Sequence, residues 1–373
     1  MQFPMQYYTT RMPDHSCANG GIGSAIVSRI LASPELSSYY GIYTVRDTSS
    51  THLAHQVSNT AHAYEALSLD LSNLASVRAA AATINARVTA GEIPPIRALI
   101  LNAGYHEMDA QRFTDDGFAT VFAVNYLGNW LLTLLLLQSM DRENGRIVVL
   151  GSRAHDTSFK ENARIFNDEK WKTILHDSTD PIAKGTWSTF EEDPSWMSGM
   201  RRYGASKLCA IMMMYKLPFL SLTKYFLFSP INAQRSGELQ RRLSIDPVLS
   251  NVSILGVDPG TVPTNIARRS PFVIRVLMFK VIFPLIAALQ AWRNPTGNND
   301  IRTAHKSAGD VLAAALDSSP VLGERPQGLY LDGSERAEIS PEAKDEKKRS
   351  MLWRDSVRYT GLKSEETMLV NWE

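Results

Sequence analysis

Residues 97–104, Arg97-Ala98-Leu99-Ile100-Leu101-Asn102-Ala103-Gly104, form an apolar run closed by a turn of small residues. Near-continuous apolar runs of this length read as strands buried on both faces, as in a parallel sheet covered by helices. Downstream, Arg146 to Leu150 (RIVVL), Asn251 to Val257 (NVSILGV) and Gly328 to Leu331 (GLYL) predict further strands; upstream, Gly41 to Arg46 (GIYTVR) and Tyr64 to Leu69 do the same. Helical patterns fill the intervals, at 22–32, 74–90, 115–140, 203–215 and 303–316. This alternation predicts an α/β fold with a Rossmann-like, doubly wound parallel sheet.

Several segments break the rhythm. Residues 153–200 are polar and rich in tryptophan (Trp171, Trp187, Trp196), and read as a long insertion. Residues 217–237 carry prolines and a cluster of aromatics inside what otherwise reads as one helix, and form a second insertion. Residues 334–373 read as a charged C-terminal extension. Residues 1–15 are atypical, because Arg11-Met12-Pro13-Asp14-His15 is not strand-like where a first strand belongs. The expected organisation is one domain over 16–333 flanked by these two ends.

The bulk numbers set outer bounds. A chain of 373 residues, 44% hydrophobic, can bury a large core, and a net charge of +1 gives no global pull toward nucleic acid. Cys17 and Cys209 are too far apart in sequence to suggest a metal site or a disulfide framework, so a reducing compartment is expected. The N-terminus lacks the apolar core of a signal peptide. Phe272 to Trp292 is the most apolar stretch, but Arg275 and Lys280 leave a charge-free part too short to span a bilayer. Every charge between Ile266 and Asn299 is basic (Arg268, Arg269, Arg275, Lys280, Arg293). The expectation is a cytoplasmic protein, peripheral to a membrane through 272–292.

Chemistry-bearing residues recur at strand ends. Ser16-Cys17-Ala18-Asn19-Gly20-Gly21-Ile22-Gly23 is a glycine-rich turn opening a helix, where backbone can approach a phosphate. Asn125 in Asn125-Tyr126-Leu127-Gly128 lies inside an apolar helix and needs a buried partner. Ser152 follows the RIVVL strand. Tyr203 and Lys207, four apart on a helix, share one face, so the ammonium can lie near the phenol and favour its phenolate. Asp258-Pro259-Gly260-Thr261-Val262-Pro263-Thr264 makes a Pro-Gly turn after another strand.

In their order, these five signatures resemble the short-chain dehydrogenase/reductase family, over about Ser16 to Gly333, nearest its fungal ketoreductase, 3-ketosteroid reductase and retinol dehydrogenase-like members. The resemblance implies an NAD(P)(H)-dependent oxidoreductase interconverting a carbonyl and an alcohol. Tyr203, Lys207, Ser152 and Asn125 would then be the catalytic set, with Asn125 holding a water that links Lys207 to solvent. Ser16, Gly21, Ile22, Gly23, Asp70, Asn102, Ala103, Gly104, Pro259, Gly260 and Thr264 would line the cofactor together with Tyr203 and Lys207. Arg46 at the end of its strand favours NADP(H) over NAD(H), because an arginine accommodates the ribose 2′-phosphate. The apolar 266–292 region implies a bulky lipophilic substrate of terpenoid, steroid or polyketide type, and thus secondary metabolism. The family implies a homo-oligomer. Two departures stand out: Cys17 replaces the first glycine, and the interval from Ser152 to Tyr203 is far longer than the family's. The atypical first strand, Cys17 and the 217–237 interruption leave open a catalytically impaired binding protein of the same fold. A third alternative assigns 1–16 and 217–237 to an inaccurate gene model.

Overall fold

The computed structural model describes residues 5–9, 21–49, 51–57, 61–214, 238–264, 272, 274–294, 297–323 and 325–373. Its strands are β1 (Met5–Thr9), β2 (Tyr40–Val45), β3 (Tyr64–Ser68), β4 (Ile96–Leu101), β5 (Arg146–Leu150), β6 (Ser253–Asp258), β7 (Tyr330–Asp332) and β8 (Glu335–Arg336). They form one sheet in the order β3-β2-β1-β4-β5-β6-β7-β8. Every pairing is parallel except that of β7 with β8. The order reverses between β1 and β4, which opens a crevice beyond the carboxyl ends of those two strands.

The first strand lies upstream of the Arg11–His15 stretch where the sequence reading looked for it. Met5–Thr9 occupies the centre of the sheet, with Tyr8 opposite Tyr43 on one side and Ile100 on the other. Tyr7, Tyr8 and Thr9 are good strand formers. The signal was missed because a strand was sought directly before the glycine turn. Arg11–His15, Ser16, Cys17 and the 217–237 insertion lie outside the described residues.

Helices cover both faces. On one face α1 (Gly21–Ala32) and α7 (Ala304–Leu316) pack on Ala98, Ile100, Val148, Leu255 and Val257. On the other, α2 (Leu74–Thr89), α3 (Thr120–Ser139), α4 (Trp196–Met214), α5 (Glu238–Ile245) and α8 (Glu346–Thr360) pack on Leu99, Leu101, Ile147, Val149 and Ile254. Alternate residues of β4, β5 and β6 thus feed two separate cores. A further long helix, α6, is π-wound over Ile274–Ile282 and α-helical over Phe283–Arg293.

Two elements start elsewhere than the pattern suggests. Helix α3 begins at Thr120 rather than 115, because Phe113 and Ala119 bridge across a turn at Gly117. Helix α4 begins at Trp196 rather than Tyr203, just after Ser195, whose Oγ accepts from the Met197 N–H at 3.2 Å.

Residues 153–200 form short helical turns fastened to the head of α4. The Arg201 guanidinium donates to Ser188 Oγ at 2.9 Å and to the Ile165 carbonyl at 3.1 Å, pairs with Asp193, and lies 4.5 Å over the Trp171 ring. Arg202 donates to the Ser188 carbonyl at 2.8 Å and to that of Ala110 at 3.0 Å.

The C-terminal segment belongs to the core rather than trailing from it. Trp353 on α8 is 2% exposed and meets Trp130 edge-on at 5.2 Å. Its Nε1 donates to the Trp372 carbonyl at 2.7 Å, and Arg242 lies 4.4 Å over its ring. The Glu342 carboxylate accepts from the backbone of Ile174 and Leu175, and the Asp355 carboxylate from that of Thr179. Trp353→Ala is therefore expected to lower unfolding free energy by about 3–5 kcal/mol in chemical denaturation, as for a buried indole left as a cavity. A loss below about 1 kcal/mol would mean that α8 is dispensable to the core.

Candidate active site

Ser152 ends the β5 turn. Its extended backbone caps a short 3-10 turn at Arg153–His155, and its Oγ accepts from the Ala154 N–H at 3.2 Å. Helix α4 passes directly beneath, and Gly204 permits the approach: a Cβ there would fall inside the Ala154 carbonyl oxygen. Tyr203 is thereby held with its phenol within hydrogen-bonding reach of the Ser152 hydroxyl. One helical turn on, Lys207 is buried and donates to the Leu150 carbonyl at 2.7 Å, its Nζ lying 5.8 Å from the centre of the Tyr203 ring. The structure thus brings Ser152, Tyr203 and Lys207 together despite the long interval between the first two.

The electrostatics differ from the sequence expectation. Burial lowers the Lys207 ammonium to about 8. Burial also pushes the Tyr203 phenol above its ordinary value, and the nearby Asp258 carboxylate adds to the rise. Burial and Asp258 thus oppose the phenolate that the neighbouring cation, together with a bound oxidised nicotinamide, is expected to favour. Asp258, at the end of β6, is itself raised by burial. Its Oδ1 accepts from the Gly260 N–H at 2.8 Å, while its Oδ2 is buried with no hydrogen-bond partner.

Asn125 lies in a π turn (Ala123–Leu127) within α3, a local widening frequent at functional sites. Its Oδ1 accepts from the Tyr105 N–H at 2.6 Å, and its Nδ2 donates to the Tyr105 carbonyl and to Ser206 Oγ, each at 2.9 Å. Ser206 Oγ in turn donates to the Tyr203 carbonyl at 2.7 Å. Asn125 thus reaches the site through Ser206 and the backbone after β4.

Sequence reading missed three residues here. His106 follows the Asn102-Ala103-Gly104 turn, is buried, and packs against Tyr203 with ring centres 4.8 Å apart. Its Nε2 is buried without a partner, and burial together with Arg202 lowers the imidazole to about 4. His155 accepts from the Ser340 N–H on Nε2 at 3.1 Å, which leaves Nδ1–H to donate to the Ser152 carbonyl at 2.7 Å. Tyr330 on β7 meets His155 edge-on at 5.7 Å. A cavity of about 340 Å³ is lined by Arg153, His155, Asp258, Tyr330 and Asp332 among others. Only the position of His106 beside a strand-end turn could have flagged any of these.

The other expected residues that lie among the described ones open α1 or follow the carboxyl ends of β2, β3, β4 and β6. Gly21 opens α1 at φ +66°, and a Cβ there would come within 3.1 Å of the Thr264 side chain. Ile22 and Gly23 continue the first turn of α1, which carries no acidic residue to repel an anion. Asn102, Ala103 and Gly104 follow β4 directly. Gly260 sits at φ +71°, and the Pro259 carbonyl accepts from Ser307 Oγ at 2.7 Å. Arg46 ends β2. After β3, Asp70 Oδ1 accepts from the Ser72 N–H at 2.7 Å. A helix opening on a positive-φ glycine, beside a switch point lined by small residues, fits a dinucleotide.

Comparison with known proteins agrees with this geometry. Residues 17–164 match the family model described as short chain dehydrogenase. A short-chain dehydrogenase of Talaromyces variabilis, iccH, is 44% identical over 95% of this chain and 97% of its own length. A polyprenol dehydrogenase of Danio rerio is 27% identical over 80% of this chain and 71% of its own. Among solved structures, an NADPH-bound carbonyl reductase from chicken fatty liver superposes with a TM-score of 0.51 at 16% identity, covering 90% of this chain and all of its own.

The site geometry has a direct spectroscopic consequence. His106 is expected to stay neutral as pH falls, and to take up its proton only near pH 4. A nitrogen-15 NMR titration against a His106→Gln control reads this directly. A midpoint near 6.5, the value of a free imidazole, would place the ring in solvent rather than against Tyr203.

Proposed function

This chain belongs to the short-chain dehydrogenase/reductase family of oxidoreductases, and we propose that it interconverts a carbonyl and an alcohol on a bulky lipophilic substrate, with NADP(H) preferred. The observation that carries the reading is the convergence of Ser152, Tyr203 and Lys207 at the carboxyl end of β5. Reduction of a ketone takes one hydride and one proton. A bound nicotinamide dinucleotide supplies the hydride, or accepts it in the reverse direction. Tyr203 supplies the proton from its hydroxyl, and in oxidation its phenolate takes the alcohol proton. The neutral resting phenol suits the reducing direction, because the proton is already in place. Ser152 orients the substrate oxygen beside Tyr203. Lys207 holds positive charge near the reacting oxygen and would also hold the cofactor ribose. Asn125 positions Tyr203 by way of Ser206.

The dinucleotide's pyrophosphate would rest on the turn of Ser16, Gly21, Ile22 and Gly23. Asp70 and the Asn102-Ala103-Gly104 turn would face the adenosine, and Pro259, Gly260 and Thr264 the nicotinamide. Arg46 supports the NADP(H) preference by its place at the end of β2. The substrate class is supported by relatives named polyprenol dehydrogenase and retinol dehydrogenase 13. Of the grounds for an impaired protein, the missing first strand falls away, since β1 is present.

Two variants test the reading. Tyr203→Phe should lower kcat by at least roughly a hundredfold on an accepted bulky ketone, as positioned acid catalysis contributes ~10²–10⁴-fold, while dinucleotide binding survives. Retention of more than about a tenth of the rate would remove Tyr203 from the proton transfer. Arg46→Ala should weaken NADPH by about tenfold or more, equivalent to roughly 1.5–3 kcal/mol for a charge-assisted bond, and leave NADH nearly unchanged. Titration of both cofactors by tryptophan fluorescence decides it, and equal losses would refute the phosphate role.

A further inference from the structure

Helix α6 has the composition of a core helix and the exposure of a surface one. Over Val276–Arg293 its only charges are Lys280 and Arg293, yet Ala287 alone is buried. Leu277, Val281, Leu285, Leu289 and Trp292 recur at near-helical spacing and form an outward ridge, with Leu285 66% and Trp292 80% exposed. The other long apolar helix, α3, is buried inside the protein. A helix apolar on all sides belongs in a core or in lipid, and an exposed apolar patch of this kind marks a contact surface.

We propose that α6 docks the protein in the plane of an anionic lipid surface, its apolar ridge entering the acyl boundary and its cations meeting the headgroups. Charge selects this occupant. Lys280 and Arg293 are both exposed, and no acidic residue occurs between Pro259 and Asn299. Two copies joined through this face would bring cations against cations, whereas anionic headgroups neutralise them. Arg268 and Arg269 add to the same charge in the sequence. Trp292 stands at the end of the helix, where an amphipathic ring suits the headgroup boundary. Thr264, which approaches Gly21, and Ile274, the first residue of α6, are ten positions apart in the chain, so docking would keep the cofactor turn near the lipid surface. The proposal does not depend on what the enzyme reduces.

Flotation of the full-length protein with lipid vesicles, without substrate or cofactor, tests it. Phosphatidylcholine vesicles carrying about one quarter phosphatidylserine should bind the protein, and raised salt should weaken that binding. Pure phosphatidylcholine should bind it less. Leu285→Glu/Leu289→Glu should lower the partition coefficient at least about tenfold, since two exposed leucines leave the acyl region. Lys280→Ala/Arg293→Ala should lower it roughly thirtyfold on anionic vesicles and little on neutral ones, at about fivefold per charge. All four side chains point to solvent, and an unchanged circular dichroism melt confirms that the variants fold. Four outcomes would overturn the proposal: no flotation of the native protein, flotation untouched by either variant, a lipid-free dimer dissociated by Leu285→Glu/Leu289→Glu, or retention after an alkaline carbonate wash, which would indicate a spanning helix.

Discussion

The close passage of α4 beneath the end of β5 is the constraint on which the site rests. Gly204 removes the one side-chain carbon that would keep the helix away from the Ala154 carbonyl. Lys207 then closes the contact by donating to the carbonyl of Leu150, the last residue of β5. A buried ammonium without such an acceptor would carry a heavy desolvation cost, so this bond fixes the helix in both depth and rotation. With that rotation set, Tyr203 has one place to go, beside Ser152. An alanine at 204 would separate the phenol from the serine even though every functional group remained.

The long segment between Ser152 and Tyr203 supports this contact instead of disturbing it. Arg201 and Arg202, immediately before Tyr203, are buried and bonded to Ile165, Ser188, Asp193 and Ala110. They hold the head of α4 from the side opposite to the sheet. The C-terminal segment completes the clamp: Glu342 and Asp355 take up backbone donors of the same insertion, and Trp353 locks α8 against α3. His155 ties the turn after Ser152 to Ser340. Insertion, extension and catalytic helix are therefore joined by buried polar and aromatic contacts.

The polar groups left over around Tyr203 are arranged on two sides of it. His106 packs on its ring with Nε2 unsatisfied, and Asp258 raises its phenol from the side of β6 with Oδ2 unsatisfied. Buried polar atoms without partners are costly, and they gather where a ligand can satisfy them. On the Asp258 side, the cavity of about 340 Å³ shared with Arg153, His155, Tyr330 and Asp332 supplies space.

Much of this was legible in the sequence. Apolar runs marked β2 and β4 to β7, because a strand buried on both faces must be apolar throughout. Tyr203 and Lys207 could be paired from spacing alone, because a helix puts positions four apart on one face. The first strand was legible in composition but misplaced, since its distance from the glycine turn follows no periodic rule. What only the tertiary structure decided are the contacts between segments remote in sequence: His106 on Tyr203, Asp258 near the phenol, Arg201 and Arg202 into the insertion, and Trp353 in the core. Protonation falls in the same class. Sequence neighbours suggested a phenol eased toward ionisation by lysine, but burial decides that balance, and burial is a property of everything packed around the group rather than of the residues beside it in the chain.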